Sequence, residues 1–501
     1  MSCRPDVFGT RVYREFNMSG AIPRLTSCGQ TRREFLWQTG MGFTGTALTA
    51  MLAADGFFRS PAFAADSASP LAPKRTHHPA KAKSVIFLFM YGGVSQVDTW
   101  DPKPELNKRD GESTPDLSTD PTAKARFGGK LLGSSRKFTP SGESGIPVCD
   151  MYPQLARQVD RLAVIRSMYA DSFAHGSGLL QMNTGYLRQG FPSVGSWLTY
   201  GLGSPNQNLP GFVVMLDWRG GPIGGPPNWG SGFMPATFQG TQFRTSGAPI
   251  IDLAPPEGTS TARQRDELDL LATLNRRHLD QKPGESELAA RIATYELAFR
   301  MQREAPEAVD VAQESEATQK LYGLDDPNTE KFGRRCLMAR RLVERGVRFV
   351  QVYSGGGHND QNWDAHGDVN KNHELHCLET DKPIAGLIQD LASRGLLEET
   401  LIVWCGEFGR TPNGQNGKGR DHNPRGFSAW LAGGGVKGGQ TYGATDEFGF
   451  AAQDNKVHVH DFHATILHLM GIDHRLLTYF HAGRDYRLTD VEGEVVEELL
   501  A

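Results

Sequence analysis

The sequence predicts an α/β fold: a doubly wound, mostly parallel sheet flanked by helices. Three observations carry this reading. A continuous apolar run at Ser84–Tyr91 and strand-like, mostly apolar stretches at Val347–Tyr353, Thr400–Cys405 and Phe427–Leu431 give the pattern of strands buried on both faces. Stretches of helical periodicity separate them, at about 262–303, 330–345, 379–394 and 460–470. Glycine turns close two of the runs, as Gly92-Gly93 and Gly355-Gly356-Gly357. Alternating strands and helices favour parallel pairing, and such sheets place their sites beyond the carboxyl ends of the strands.

Taken in order, residues 1–64 read as an address. Thr31-Arg32-Arg33-Glu34-Phe35-Leu36 is the pattern of a twin-arginine export signal. A weakly apolar, Gly/Ala/Thr-rich stretch follows from Met41 to Phe58, too polar for a stable membrane span. Ala62-Phe63-Ala64 then supplies a small-x-small cleavage site. The expected location is therefore periplasmic or extracellular, with the twin-arginine translocase as export partner. Residues 65–83 form a Pro/Lys/His-rich linker, and 84–501 form the domain proper. Its insertions are a polar excursion at about 101–148 and a loop-and-helix region at about 201–345. Short strands are expected at Leu162–Arg166, Phe212–Leu216 and Pro249–Leu253, and a helix from about Gly176 to Tyr186. No later run reaches 18 apolar residues, so the exported part is expected to lack a membrane span.

Bulk composition excludes some classes of function. Hydrophobic residues at 38% and charged residues at 22% are ordinary globular values. The net charge is -4, and residues 1–64 hold seven Arg against four acids, which leaves the remainder near -7. A nucleic-acid-binding surface would need the opposite sign. Four of the six cysteines lie beyond the signal, Cys149, Cys336, Cys377 and Cys405, in no zinc-binding spacing. Cys405 sits in an apolar strand and reads as a buried thiol.

Polar residues gather where the strand-end rule places a site. Asp98 and Asp101 follow the first run, and His358, Asp364 and His366 follow Tyr353. Glu407 and Arg410 follow Cys405, and Asp421 and His422 precede Phe427. Carboxylates and imidazoles converging on one sheet edge suit a divalent metal of the zinc, manganese or iron type.

Three segments resemble the alkaline-phosphatase/sulfatase superfamily. Asp381 through Cys405 is similar to the helix-strand unit before its late metal ligands, and Asp461 through Ile472 to its closing helix. His175 through Gly185 resembles the nucleophile helix of sulfatases. The span from Lys81 to about Tyr486 is similar to the twin-arginine-exported family called domain of unknown function 1501. Its hallmarks stand here as Gly92 through Pro104, Trp363-Asp364-Ala365-His366, Gly406 through Pro412 and Gly419-Arg420-Asp421-His422.

The resemblance implies an alkaline-phosphatase-like fold. It also implies a divalent ion, zinc, manganese or calcium, held by Asp98, Asp364, His366, Glu407 and His422, with Asp421 and His358 as second choices. His175 takes the nucleophile slot as ligand, acid/base or phosphate acceptor, Ser177 is the fallback nucleophile, and Arg410 is placed to grip an anionic oxygen. Departures accompany it. The Cys-x-Pro-x-Arg signature that yields formylglycine is missing, Gly92-Gly93 stands where sulfatases carry paired Asp, and Glu407-Phe408 replaces Asp-His. His460, His463 and His468 read as structural or exposed.

Two functions follow as expectations. One is metal-dependent hydrolysis or transfer at a phosphate or sulfate ester, on an anionic small molecule or polysaccharide. The other is a degenerate relative that keeps the fold, and a metal, without turnover.

Overall fold

The computed structural model describes residues 70–114, 129–245, 247–250, 253–255, 258–281, 286–357 and 361–501. The twin-arginine motif, the apolar stretch after it, the cleavage site, Ile251 and Asp252 of a predicted strand, and His358 lie outside these residues. Ser69–Ala501 is one compact unit.

Its centre is a sheet built on β1 (Ser84–Met90), all seven residues of which are buried. The other strands are β2 (Leu162–Tyr169), β3 (Phe212–Met215), β4 (Thr241–Gln242), β5 (Phe349–Ser354) and β6 (Thr400–Cys405). After them come β7 (Gly409–Gln415) and β8 (Gly419–Asn423), which form a two-stranded sheet of their own, then β9 (Phe427–Ala432), β10 (Gln440–Tyr442) and β11 (Val457–His458). The order across the sheet is β10-β2-β9-β6-β1-β5-β3-β4, with β11 also on β2. β1 pairs in parallel with β5 (Val85 beside Phe349) and with β6 (Phe89 beside Cys405).

Alternation along β1 explains why its sequence is apolar from Val85 to Met90. Ile86, Leu88 and Met90 enter one core, packed by α3 (Glu330–Glu344) and α4 (Val369–Ser393) through Leu337, Ile384 and Leu387. Val85, Phe87 and Phe89 enter the other, with α1 (His175–Thr184), α2 (Val194–Leu202) and α5 (Val459–Leu469). Each such side chain contributes about 1.5–3 kcal/mol by leaving water, so neither face tolerates polar residues. Cys149, Cys336, Cys377 and Cys405 are buried free thiols.

Four features differ from the sequence expectation. First, β9 runs antiparallel to both β6 and β2. A parallel return needs a crossover of a dozen or more residues, usually a helix; between β6 and β9 the chain makes only the β7–β8 hairpin and re-enters at the edge it left. Second, α4 begins at Val369, ten residues before the expected Glu379, because the Asp368 side chain caps it by accepting the Lys371 N–H at 3.1 Å. Third, the polar excursion contains a hairpin, Phe138–Ser141 with Ile146–Cys149, whose Ile146, Val148 and Cys149 join the first core. Fourth, the described part of the segment read as linker lies against the domain: Lys74 donates to the Leu202 carbonyl, and Lys81 and Ala82 to that of Leu469. Among the described residues, no helix is long and apolar enough to cross a membrane.

Candidate metal centre

β1, β2, β5 and β6 all end at one edge, and the reversed β9 starts there. The loop after β1 opens with Gly92, at φ +120. A Cβ on it would lie 2.5 Å from the Asp364 backbone nitrogen and 2.6 Å from that of Trp363. Glycine at 92 is what lets the loop after β5 close over the end of β1. Asp364 therefore enters space that a side chain at 92 would need.

Four ligand atoms converge around Asp364. Those of His175, Asp364, His366 and His422 all lie within 4.8 Å of one another. Asp364 Oδ1 is 2.9 Å from His366 Nε2 and 3.1 Å from His422 Nε2, and those two nitrogens are 2.9 Å apart. His175 Nε2 stands 3.3 Å from Asp364 Oδ2, buried and without a hydrogen bond.

Partners on the far side of each ring decide where its proton sits. His422 Nδ1 faces the Phe173 carbonyl at 2.8 Å, and a carbonyl only accepts. His366 Nδ1 meets Gln415 Oε1, and His175 Nδ1 meets Glu407 Oε1 at 2.7 Å. Each ring thus donates outward from Nδ1, and a neutral ring then turns a bare Nε2 lone pair toward Asp364. Lone pairs this close repel unless a cation or a proton lies among them. Imidazoles anchored through one nitrogen to an oxygen, with the other free, are what protein metal sites use. The donor set fits a divalent metal.

Electrostatics agree. Burial would raise the Asp364 pKa, but three imidazoles and Arg410 outweigh it and hold the carboxyl far below its usual range. Burial would lower His175, yet the neighbouring carboxylates of Asp364 and Glu407 raise it to about 9. His366 is raised through Asp364, whereas burial and the charges of Arg410 and His175 lower His422 to about 4. Without a metal, the raised His175 favours its protonated form at neutral pH, and a metal there must displace that proton.

The remaining candidates occupy other places. Glu407 is 0% exposed and accepts the Gly92 N–H at 3.0 and 3.2 Å as well as the His175 ring. It lies outside the four-residue group and orients His175 instead. Asp98 also lies outside that group: Arg420 Nε holds it at 2.7 Å and Ser95 Oγ at 2.5 Å, and the Arg420 charge and bonds outweigh burial to keep its carboxyl low. Arg410 was expected to grip a substrate oxygen. It is 0% exposed, and its guanidinium is engaged by the carbonyls of Gly92, Gly93, Trp363 and Arg420 and by Asp364 Oδ1 at 2.6 Å, so it cannot reach a ligand.

Ser177 Oγ bonds Ser172 Oγ at 2.5 Å and the Ala174 carbonyl at 3.3 Å, at the start of α1. Asp421 accepts the His422 N–H at 2.8 Å. Sequence reading missed Gln415 and the Phe173 carbonyl, which fix two of the rings. A backbone carbonyl carries no sequence signal at all.

Comparison with known proteins gives one family. The family model described as protein of unknown function (DUF1501) matches residues 82–500. No curated protein matches the chain. Solved structures similar to it include the PsFucS1 sulfatase from Pseudoalteromonas sp., at 13% identity over 78% of this chain and 68% of that one, TM-score 0.33. The phosphonate monoester hydrolase from Silicibacter pomeroyi has 10% identity over 64% and 68%, TM-score 0.30. The lipoteichoic acid synthase LtaP from Listeria monocytogenes has 10% identity over 80% and 76%, TM-score 0.30.

Proposed function

The chain belongs to the DUF1501 family of proteins of unknown function, and we propose that it is an exported, metal-dependent hydrolase of phosphate or sulfate esters. The observation that carries this reading is the orphaned His175 Nε2 facing Asp364, beside two more imidazoles whose outer nitrogens are pinned. Asp364, His366 and His422 would hold the ion. Imidazole nitrogens favour zinc over calcium, which prefers an all-oxygen shell, and so narrow the metals expected from sequence. When bound, a divalent ion supplies Lewis-acid chemistry: it offsets charge on a phosphoryl or sulfuryl oxygen and eases deprotonation of water.

The chain's own residues do the rest. Glu407 fixes the His175 ring through Nδ1, so His175 exchanges its proton at Nε2. That is the arrangement of an acid/base group with its orienting carboxylate. On this reading His175 delivers a proton from Nε2 to the leaving-group oxygen and recovers one from water. Arg410 keeps Asp364 ionised without touching substrate. The substrate class is an anionic ester, on a small molecule or a polysaccharide. Arg32-Arg33 and Ala62-Phe63-Ala64 support export by the twin-arginine route to the periplasm or beyond.

A second reading, a degenerate relative that binds metal without turnover, draws on one feature. If His175 ligates too, four protein atoms close a tetrahedral site and leave no place for water. Metal analysis of the parent and of His175→Ala, with aryl phosphate mono- and diesters and aryl sulfates as substrates, separates the two. Hydrolysis that needs His175 while His175→Ala keeps its metal supports the enzyme. A stoichiometric metal that depends on His175, with no hydrolysis of any ester, supports the degenerate relative. No bound metal refutes both.

A further inference from the structure

A second convergence of imidazoles lies at the start of α5, on the same sheet edge. β11 ends at His458, which sits beside Tyr169 of β2 and serves as the N-cap of α5. The ligand atoms of His458, His460 and Glu492 lie within 4.8 Å of one another. Both histidines are buried, whereas the Glu492 side chain is 64% exposed. Gly493, at φ +94, lets the Glu492 turn approach: a Cβ there would come within 3.0 Å of the His460 carbonyl.

Hydrogen bonding again settles which nitrogens are bare. His458 Nδ1 accepts the His460 backbone N–H, so its proton is on Nε2, which meets Asp171 Oδ2 at 3.1 Å. His460 Nε2 meets the Gly185 carbonyl at 2.7 Å, so it too carries the proton there. Both Nδ1 atoms are then lone pairs, and both face Glu492 Oε2, at 3.7 Å from His458 and 3.3 Å from His460. The bond into His458 Nδ1 is 3.3 Å, longer than the usual N–H donor distance of about 2.7–3.2 Å, and holds that lone pair weakly. Three acceptor atoms meet, and the proton among them is the His460 backbone N–H, loosely shared with His458 Nδ1. Behind them, a carboxylate and a carbonyl anchor the two rings, as in metal sites.

We propose that His458 Nδ1, His460 Nδ1 and the Glu492 carboxylate form a second divalent-metal site, selective for zinc-like ions. Its ligands are separate from those of the centre at Asp364. Two imidazoles and one carboxylate are a zinc donor set, and the exposed Glu492 side leaves room for water. The site ties the C-terminal segment to the start of α5. Through Asp171, which also bonds Gln181 of α1, it steadies the loop whose Phe173 carbonyl holds His422.

The test uses tag-free full-length protein, stripped with chelator and titrated with zinc chloride at about pH 7.5, where neutral imidazoles bind metal. In an Asp364→Ala/His422→Ala background one zinc should remain bound, and Glu492→Gln added to it should weaken that zinc at least about tenfold. Glu492 is exposed, so the substitution leaves folding intact; Glu494→Gln, an exposed neighbour, should change nothing. Cobalt in the same background should give a nitrogen-ligand visible spectrum that Glu492→Gln abolishes. Absence of zinc in that background, or unchanged affinity in Glu492→Gln, overturns the site. The second result also covers the case in which a protonated His460 simply pairs with Glu492. Two zinc ions persisting in the background, one of them lost with Glu492→Gln, would instead support this site and count against Asp364 and His422 as ligands.

Discussion

Replacing Glu407 by Gln separates an orienting carboxylate from a ligand. Glutamine keeps the shape of a fully buried side chain that accepts the Gly92 N–H and the His175 Nδ1–H. It removes one negative charge and puts an amide donor within reach of Nδ1. In the metal-free protein the His175 pKa is raised from 6.5 to about 9 by its two carboxylate partners. A raised histidine contributes stability that is complete below 6.5 and is lost as pH rises through about 9. The whole effect is about 3 kcal/mol, shared between Glu407 and Asp364. Metal-free Glu407→Gln should therefore be less stable than the parent by roughly 1–2 kcal/mol below pH 6.5, and the gap should narrow toward about pH 9. Urea midpoints across that range measure it. Bound metal should remain stoichiometric, because Glu407 touches His175 rather than the converging ligand atoms. Ester hydrolysis should fall by about 10² to 10⁴, the range from losing an anchoring partner to inverting a tautomer. Metal loss as complete as in Asp364→Ala would make Glu407 a ligand and refute this account of the site.

Four further outcomes are expected. Asp364→Ala and His422→Ala should each lower bound metal and abolish metal-dependent thermal stabilisation, worth about 2.7 kcal/mol at a hundredfold excess over Kd; melting curves with and without zinc check this. His175→Ala should remove at least about a hundredfold of any esterase activity while Ser177→Ala does much less, and steady-state kinetics showing the reverse would move the chemistry to the hydroxyl. Gly92→Ala should destabilise the fold and weaken metal binding together, since its Cβ would meet the Asp364 backbone at 2.5 Å; calorimetry and zinc titration should shift in concert. Changing Arg32 and Arg33 to Lys should leave uncleaved precursor in the cytoplasm, and normal export of that variant would refute the twin-arginine assignment.

Much of the fold was readable from local chemistry. Central strands buried on both faces cannot hide their apolarity, so β1, β5, β6 and β9 stand out as mostly apolar runs. The N-terminus of α4 did not, because His373 and His376 blur its apolar face. Both histidines are buried, where His373 Nε2 accepts the Ser95 N–H and His376 Nε2 meets the Asn362 carbonyl. The direction of β9 was equally hidden, since a strand reads the same in either sense and only the connection decides. At the site, the strand-end rule pointed to the right loops but could not rank the acids within them. Asp98 and Asp364 are equally acidic in sequence; one lies beside buried Arg420 and the other among three imidazoles.

The sequence by itself determined the class of fold, the sheet edge that carries the polar residues, and the residue types available there. These follow from period, burial and glycine placement, which are local properties of the chain. Tertiary structure alone decided which acids and imidazoles meet, which nitrogen of each ring is bare, and which groups of the chain Arg410 and Glu407 bond. Those outcomes depend on contacts between residues tens to hundreds of positions apart, such as Gly92 with Asp364, His175 with Glu407 and Phe173 with His422. A proton's place on an imidazole is set by the oxygen on its far side, and only the folded chain brings that oxygen there.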